Sequence, residues 1–489
     1  MKKKSNGIWI PLILILALGI VFRTFNFSKG FSFAYDQDIY SWISRDIIFN
    51  NHLRLNGQIT SVDGVFIGPA YYYLMAATYA IFEMNPLGAA LPLTIIGILN
   101  IISIFWIFKR FFGDKAGLIG AFIEAISFGL AAFDRWSVPT QPTILWCTWF
   151  LFIILEFSRG KLKYLWLYAI LVGVLWNIHI ALLPILPIPI LVYFFSEGKL
   201  KEKFAKIKIK QILMALLIFM VVNSPFFIFE IKHNFSQVKS TLAATQFKNI
   251  GPSGWQKFDK TLNASGRELQ QRFIAGWEIS WVNWLWIGVI IILIFLRVKN
   301  KLKLAEFIGI CSWIFLILLA QFTSKRPVSE YYFSNLLPLL TLLLSLFLSN
   351  INRKILWFVG IIYFGINTYW LINRSEIDTS YYYRKQLVDF VRSETLKNNY
   401  PCIAINYIAD PGVGVGFRYL FWYDGIKLIK ANDKVPIYNI VIPWQMSGNE
   451  VSAHFGRFGV INPKIVLEVD PAVCQDTKYN LDPLPGYTE

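Results

Sequence analysis

Two aspartates, Asp36 and Asp38, stand shortly after the first apolar segment of the chain, residues 8–22. Placing a charged carboxylate beside a bilayer costs free energy, so such residues usually have a function. Catalysis at the membrane surface is one such function. A single carboxylate there can accept the proton of an attacking hydroxyl group as a general base. Two carboxylates within a short turn can also share a divalent cation, Mg²⁺ or Mn²⁺, because hard cations prefer oxygen ligands. A solvated loop start or a helix cap is the alternative without chemistry.

Other polar and aromatic side chains at the ends of apolar segments supply further candidates. Basic side chains hold phosphate groups through charge-assisted hydrogen bonds, and the candidates for this role are Arg135, Lys232, Lys325 and Arg326. The candidates for substrate binding are Tyr71, Tyr72, Tyr73, His179, Glu330 and Tyr331. Each group has a structural alternative: an aromatic belt for the tyrosines, a buried hydrogen bond for His179, and a surface ion pair of Arg135 with Asp134.

Composition places these residues in a membrane protein. Of the 489 residues, 55% are hydrophobic and only 16% are charged, and apolar runs recur along residues 8–371. These features predict an α-helical polytopic membrane protein. The net charge of +17 does not indicate nucleic-acid binding, because the Lys and Arg residues lie mostly in short segments between apolar runs. Four cysteines are too few for a disulfide scaffold.

The basic segments predict the topology. They lie at residues 2–4, 109–115, 159–163, 199–210, 297–303 and 353–354, and all six face the cytoplasm if the positive-inside rule holds. Three apolar stretches precede Lys109, so one of them should not cross. Residues 68–84 are the best candidate for a helix lying at the outer surface, since they open on Gly68-Pro69 and three tyrosines. The result is about eleven transmembrane helices, with the N-terminus inside and the C-terminus outside.

This topology defines the outer loops and two domains. The first outer loop spans residues 23–86 and contains both aspartates, and a second long outer loop spans residues 230–280. Residues 1–371 form the transmembrane domain, and residues 372–489 form a small extracytoplasmic α/β domain, with strand-like runs at 402–405 and 437–442 and a turn at 410–412. Cys402 and Cys474 could pair only if this domain is extracytoplasmic.

The order of motifs resembles a known superfamily. An acidic pair in a long first outer loop, then Gly68-Pro69 with three tyrosines, a basic turn and Arg135-Trp136-Ser137-Val138-Pro139 are together similar to GT-C glycosyltransferases. The particular resemblance is to bacterial relatives of protein O-mannosyltransferases and of the aminoarabinose transferase that modifies lipid A. Residues 176–179, 225–235 and 330–333 add to it, and the resemblance covers residues 8–371. Two departures are Gln37, which separates the two acids, and Ile67, which stands where many relatives have His.

The resemblance implies transfer of a sugar from a polyprenyl-phosphate donor to a hydroxyl group of a lipid, protein or polysaccharide. It also implies a general base in the first outer loop, without choosing between Asp36 and Asp38. Direct displacement would invert the anomeric centre, and no glycine-rich loop for a nucleotide is present in the sequence. The expected location is the cytoplasmic membrane. Two alternatives stay open: a polysaccharide polymerase or ligase, because of the loop at 230–280, and a lipid-linked sugar flippase, because Glu124 lies in an apolar run.

Overall fold

The computed structural model describes residues 7–198, 208–244, 251–276, 280–410, 415–464 and 468–481. The basic segment at residues 2–4, most of that at 199–210, and positions 411–412 of the turn lie outside the described residues. The described chain is mainly helical, with one small sheet near its C-terminus.

The first half of the described chain contains ten α-helices. In chain order they are α1 Trp9–Thr24, α2 Phe27–Gly30, α3 Tyr35–Asn50, α4 Ala70–Ile81, α5 Leu91–Phe112, α6 Asp114–Ile126, α7 Phe128–Phe133, α8 Thr143–Phe157, α9 Leu165–Leu175 and α10 Ile188–Phe195. The long helix α5 begins with a proline in its first turn, where the missing N–H costs nothing, and ends with Lys109 and Arg110.

The second half adds eleven α-helices and four strands. The helices are α11 Ile209–Val222, α12 Ser224–Lys232, α13 Ser236–Ala244, α14 Gly254–Phe273, α15 Leu285–Val298, α16 Leu304–Thr323, α17 Leu337–Ser349, α18 Arg353–Arg374, α19 Tyr381–Lys397, α20 Arg418–Tyr423 and α21 Pro471–Gln475. The strands are β1 Ala404–Ala409, β2 Ile437–Ile442, β3 Ala453–Phe455 and β4 Phe458–Ile461.

Several of the described helices are long and apolar enough to cross a membrane. Four pass by length and composition, namely Pro86–Phe112, Leu304–Thr323, Glu330–Ser349 and Arg353–Arg374. The pair α11 and α12, bent by 62°, passes as a fifth span if the two helices are counted together. Five shorter apolar helices accompany them. The chain is therefore a multi-pass membrane protein, whereas eleven crossings with both termini assigned stay a prediction.

Helix α4 lies within the segment predicted not to cross, although it is shorter than the predicted range 68–84. Its 12 residues span only about 18 Å at 1.5 Å per residue, well below the roughly 30 Å of a hydrocarbon core. It packs along α3, and Tyr71, Tyr72, Met75 and Tyr79 form its buried face. The helix is thus a support for α3.

The C-terminal segment forms a four-stranded sheet in the order β1-β2-β4-β3, with β1 parallel to β2 and the other pairs antiparallel. Strand β2 coincides with the predicted run at 437–442, while β1 begins two residues after the predicted start. A disulfide joins Cys402 to Cys474.

This segment shares its hydrophobic core with the first outer loop. Phe31, Phe33 and Ile39 from the loop belong to the same buried cluster as Leu387 and Tyr419 from the C-terminal segment. Helix α20 of this segment packs directly on α3, the helix that carries both aspartates, and α19 packs on α2.

Candidate active site

The two aspartates of α3 face different surroundings. Positions two apart on an α-helix point about 200° apart. Asp36 lines a cavity of about 720 Å³, whereas Asp38 is 3% exposed and its Oδ1 accepts the backbone N–H of Tyr419 at 2.8 Å. The two carboxylates therefore have different neighbours, and the shared Mg²⁺ or Mn²⁺ site that the sequence left open stays a prediction. The described residues contain no cluster of three or more His, Cys, Asp or Glu side chains suited to a metal ion.

Of the two aspartates, Asp36 is the one whose side chain lines a cavity. Burial raises the pKa of its carboxyl group above the usual value, which makes the carboxylate a better proton acceptor near neutral pH. Tyr40, one helical turn further along α3, lines the same cavity and donates a hydrogen bond to Gln58 Oε1 at 2.6 Å. We call this space the aspartate cavity.

Other walls of the aspartate cavity come from segments distant in sequence. Residues 58–67 form a short hairpin on one side, and Trp136, His179, Arg326 and Tyr331 lie on others. His179 Nδ1 accepts the N–H of Ala181 at 2.9 Å, so the proton of the neutral ring is on Nε2. The structure thus brings Asp36, His179, Arg326 and Tyr331 together, four of the residues selected from the sequence.

A glycine joins two of the motifs that carry the resemblance. The N–H of Gly68 donates to the carbonyl oxygen of Trp176 at 3.0 Å, and Asn177 Oδ1 accepts the N–H of Ala70 at 3.2 Å. A Cβ atom on Gly68 would lie 2.0 Å from Asn177 Oδ1. A larger residue at position 68 would displace the Asn177 side chain that accepts the N–H of Ala70, so glycine favours this close contact between the start of α4 and the turn that carries His179.

A second cavity adjoins the first. It measures about 670 Å³, shares Trp136 and Tyr331 with the aspartate cavity, and is otherwise lined mainly by α14 and residues 328–330. Lys260 and Arg267 of α14 line it and have no ion-pair partner among the described residues. Glu330, a predicted substrate-binding residue, lines it too and accepts a hydrogen bond from Gln271 at 2.8 Å. We call this space the basic cavity.

Sequence reasoning missed Lys260 and Arg267 because they lie within the long polar loop rather than beside an apolar run. Their spacing of seven, with Asn263 between them and Gln271 four residues on, places all four on one face of a helix. That pattern could have identified a basic helical face at this position.

Several predicted site residues lie outside both cavities. Arg135 is 2% exposed, and its guanidinium donates to the carbonyl oxygen of Phe25 at 3.0 Å instead of reaching a cavity. Lys232, at the end of α12, and Lys325 are exposed and line neither cavity. The structural alternative for Arg135, a surface ion pair with Asp134, is wrong, because both residues are buried and Asp134 pairs with Arg23 at 2.7 Å.

The three tyrosines of α4 also face protein rather than a cavity. The hydroxyl of Tyr71 shares a hydrogen bond with Ser137 Oγ at 2.8 Å, and Tyr73 donates to the carbonyl oxygen of Arg54 at 2.7 Å. The ring of Tyr72 packs against Tyr40. Their contacts in this structure position α3 and the 136–140 segment, which border the aspartate cavity.

Comparisons with known proteins agree with this architecture. The family described as dolichyl-phosphate-mannose-protein mannosyltransferase matches residues 67–229. Two crystal structures of ArnT from Cupriavidus metallidurans, each 11% identical in sequence, share the fold. The alignment with the apo structure has a TM-score of 0.63 and covers 94% of this chain and 98% of the ArnT chain. The structure bound to undecaprenyl phosphate gives a TM-score of 0.59, covering 95% and 100%. No curated protein sequence matches significantly.

Proposed function

We propose that this chain, a membrane glycosyltransferase of the GT-C superfamily, moves a sugar from a polyprenyl-phosphate donor to an acceptor hydroxyl group on the extracytoplasmic side. Asp36 is the general base, and the reaction inverts the anomeric centre. The acceptor is a hydroxyl group of a lipid, a protein or a polysaccharide.

One observation carries the proposal: the cavity lined by Asp36 and the cavity lined by Lys260 and Arg267 share Trp136 and Tyr331. A sugar attached to a phosphate has one neutral and one anionic end. The basic cavity suits the phosphate, which Lys260 and Arg267 can hold through charge-assisted hydrogen bonds. The sugar then extends past Trp136 and Tyr331 into the aspartate cavity.

The chemistry follows from this placement. The acceptor oxygen attacks the anomeric carbon while Asp36 takes its proton, and the bond between that carbon and the phosphate oxygen breaks. The bonding electrons stay on the phosphate, where the cations of the basic cavity stabilise the negative charge. A single displacement of this kind inverts the anomeric centre, by analogy with one-step glycosidases.

Two further observations support the proposed donor class and the proposed side of the membrane on which the reaction takes place. ArnT from Cupriavidus metallidurans, which shares the fold, was crystallised with undecaprenyl phosphate. The Cys402–Cys474 disulfide is typical of an oxidising compartment, and its segment shares a hydrophobic core with α3. The disulfide and Asp36 therefore lie on the same side of the membrane, which supports an extracytoplasmic location for both. The proposed topology keeps the predicted eleven spans, the inner N-terminus and the outer C-terminus in the cytoplasmic membrane.

The decisive experiment measures release of polyprenyl phosphate and formation of glycosylated product by the purified full chain in detergent. Asp36→Asn should lower the rate by at least about 100-fold, because general-base catalysis contributes about 10²- to 10⁴-fold. Asp63→Asn, which alters an exposed carboxylate of the same loop, is the matched control and should keep the rate. Wild-type activity in Asp36→Asn would refute the proposed base, and lipid movement across vesicles without a glycosidic product would indicate a flippase.

A further inference from the structure

The N-terminal turn of α3 is held by two partners that are distant in sequence. Gln37 donates from Nε2 to the carbonyl oxygen of Ser137 at 2.7 Å and accepts the N–H of Ala34 at 2.9 Å through Oε1. Asp38 reaches in another direction and accepts the N–H of Tyr419, 381 residues further along the chain. Asp36 directly precedes these two anchored positions in the same turn of α3, so its placement depends on both.

A second C-terminal residue near Asp38, Arg384, is buried and closely packed. Arg384 is 3% exposed, donates to the carbonyl oxygen of Gly416 at 3.2 Å, and packs its guanidinium on the rings of Phe417 and Phe458 at 4.6 and 4.4 Å. Arg384 and Arg418 also act electrostatically on Asp38. Closely packed, buried groups deform little, so a displacement of this part of the C-terminal segment should also displace Asp38.

A second close contact lies at the same junction. A Cβ atom on Gly416 would lie 2.3 Å from the carbonyl oxygen of Ala34, the residue that precedes α3. The backbone of the C-terminal segment therefore lies directly against the start of the helix. Added bulk at Gly416 must displace either this backbone or the first turn of α3.

We infer that the C-terminal segment fixes the catalytic helix through this junction, and that Asp38 is a positioning residue whose carboxyl oxygen anchors the turn carrying Asp36. The inference rests on the proposed function, since it concerns the placement of the proposed base. It assigns the C-terminal segment a direct part in the transfer reaction. It also gives the two acids of the loop separate tasks: Asp36 must ionise, whereas Asp38 must only offer an oxygen to the N–H of Tyr419.

The separate tasks predict opposite responses to the same amide substitution. Asn at position 38 keeps an acceptor oxygen, whereas Ala removes it and leaves the buried N–H of Tyr419 unpaired. Asp38→Ala should lower kcat by about 10- to 100-fold with the KM for the donor changed less than about threefold, because a small misplacement of a reacting group costs up to about 100-fold. Asp38→Asn should recover most of that loss, while Asp36→Asn stays inactive. Asp433→Ala, which removes an exposed carboxylate of the C-terminal segment, is the control.

Gly416→Ala tests the junction without touching either acid, and it decides the question if Asp38→Ala does not fold. It should reproduce the loss of kcat, whereas Gly365→Ala, where a Cβ atom meets open space, should not. Size-exclusion profiles and melting temperatures of every variant show that the protein is folded. Full kcat in folded Asp38→Ala or Gly416→Ala would overturn the inference, as would Asp38→Asn being as inactive as Asp36→Asn. An active Asp36→Asn would instead refute the proposed function itself.

Discussion

Removing one partner of the buried ion pair between Arg23 and Asp134 should destabilise the protein strongly, because the other charge is left buried. Their side chains are 0% and 4% exposed, and Arg23 Nε donates to Asp134 Oδ2 at 2.7 Å. The same guanidinium also donates to the carbonyl oxygens of Ala125 and Glu124, each at 3.2 Å, and Gln141 donates to the other oxygen of Asp134 at 2.6 Å. The pair therefore connects the end of α1 to α6 and to the turn after α7.

Replacing Arg23 by Met keeps most of the volume but leaves the buried Asp134 carboxylate with Gln141 as its remaining donor. Loss of one partner of a buried ion pair typically costs about 3 to 5 kcal/mol, because the remaining charge stays in the protein interior, which solvates it poorly. Arg23→Met should therefore lower the free energy of unfolding by that amount. The double variant Arg23→Met with Asp134→Asn should recover about 2 to 3 kcal/mol, which is the coupling expected for contacting residues.

The measurement is unfolding of the purified protein in mixed micelles with increasing denaturing detergent, followed by tryptophan fluorescence. Lys29→Gln is the matched control, because the Lys29–Glu376 pair is 33% and 40% exposed and should be worth at most about 1 kcal/mol. If Arg23→Met costs no more than Lys29→Gln, or if the two substitutions add without coupling, the reasoning from burial is refuted.

Three other perturbations test separate parts of the structure. Burial raises the pKa of Asp38 from 3.8 to about 7, although Arg384 and Arg418 act in the opposite direction, and Tyr79 and Tyr407 also face the carboxyl group. Because the pKa is higher in the folded than in the unfolded protein, the stabilisation from Asp38 is complete below about pH 4 and is lost as the pH rises through 7. As the pH rises from 5 to 8, the melting temperature should consequently fall less in Asp38→Asn than in the wild type. Equal slopes of melting temperature against pH in the two proteins would contradict this prediction. Cys402→Ser opens a bridge across 72 residues and should cost about 4 kcal/mol in chain entropy; a reductant should destabilise the wild type but not the variant. Arg267→Gln should weaken binding of undecaprenyl phosphate by about tenfold through loss of a charge-assisted contact, whereas Lys299→Gln, an exposed charge on neither cavity, should leave the affinity unchanged.

The sequence by itself determined the class of the protein and selected a set of candidate site residues along the chain. Apolar runs and the basic segments between them are local properties, so they predict a polytopic helical protein without reference to packing. The short segment after Gly68-Pro69 and the strand at 437–442 could be identified for the same reason. The two aspartates could be selected because charge near a bilayer is rare.

Only the tertiary structure decided which aspartate faces a cavity. The sequence shows two acids two residues apart, but the face of α3 that packs inward is set by Tyr419 and Arg384, more than 340 residues away. Distant partners likewise decided that Asp134 pairs with Arg23 rather than with its neighbour Arg135. They also decided that Lys260 and Arg267 of α14 line the basic cavity. Side-chain direction and burial arise from contacts between segments far apart in the chain, and local patterns carry no information about those contacts.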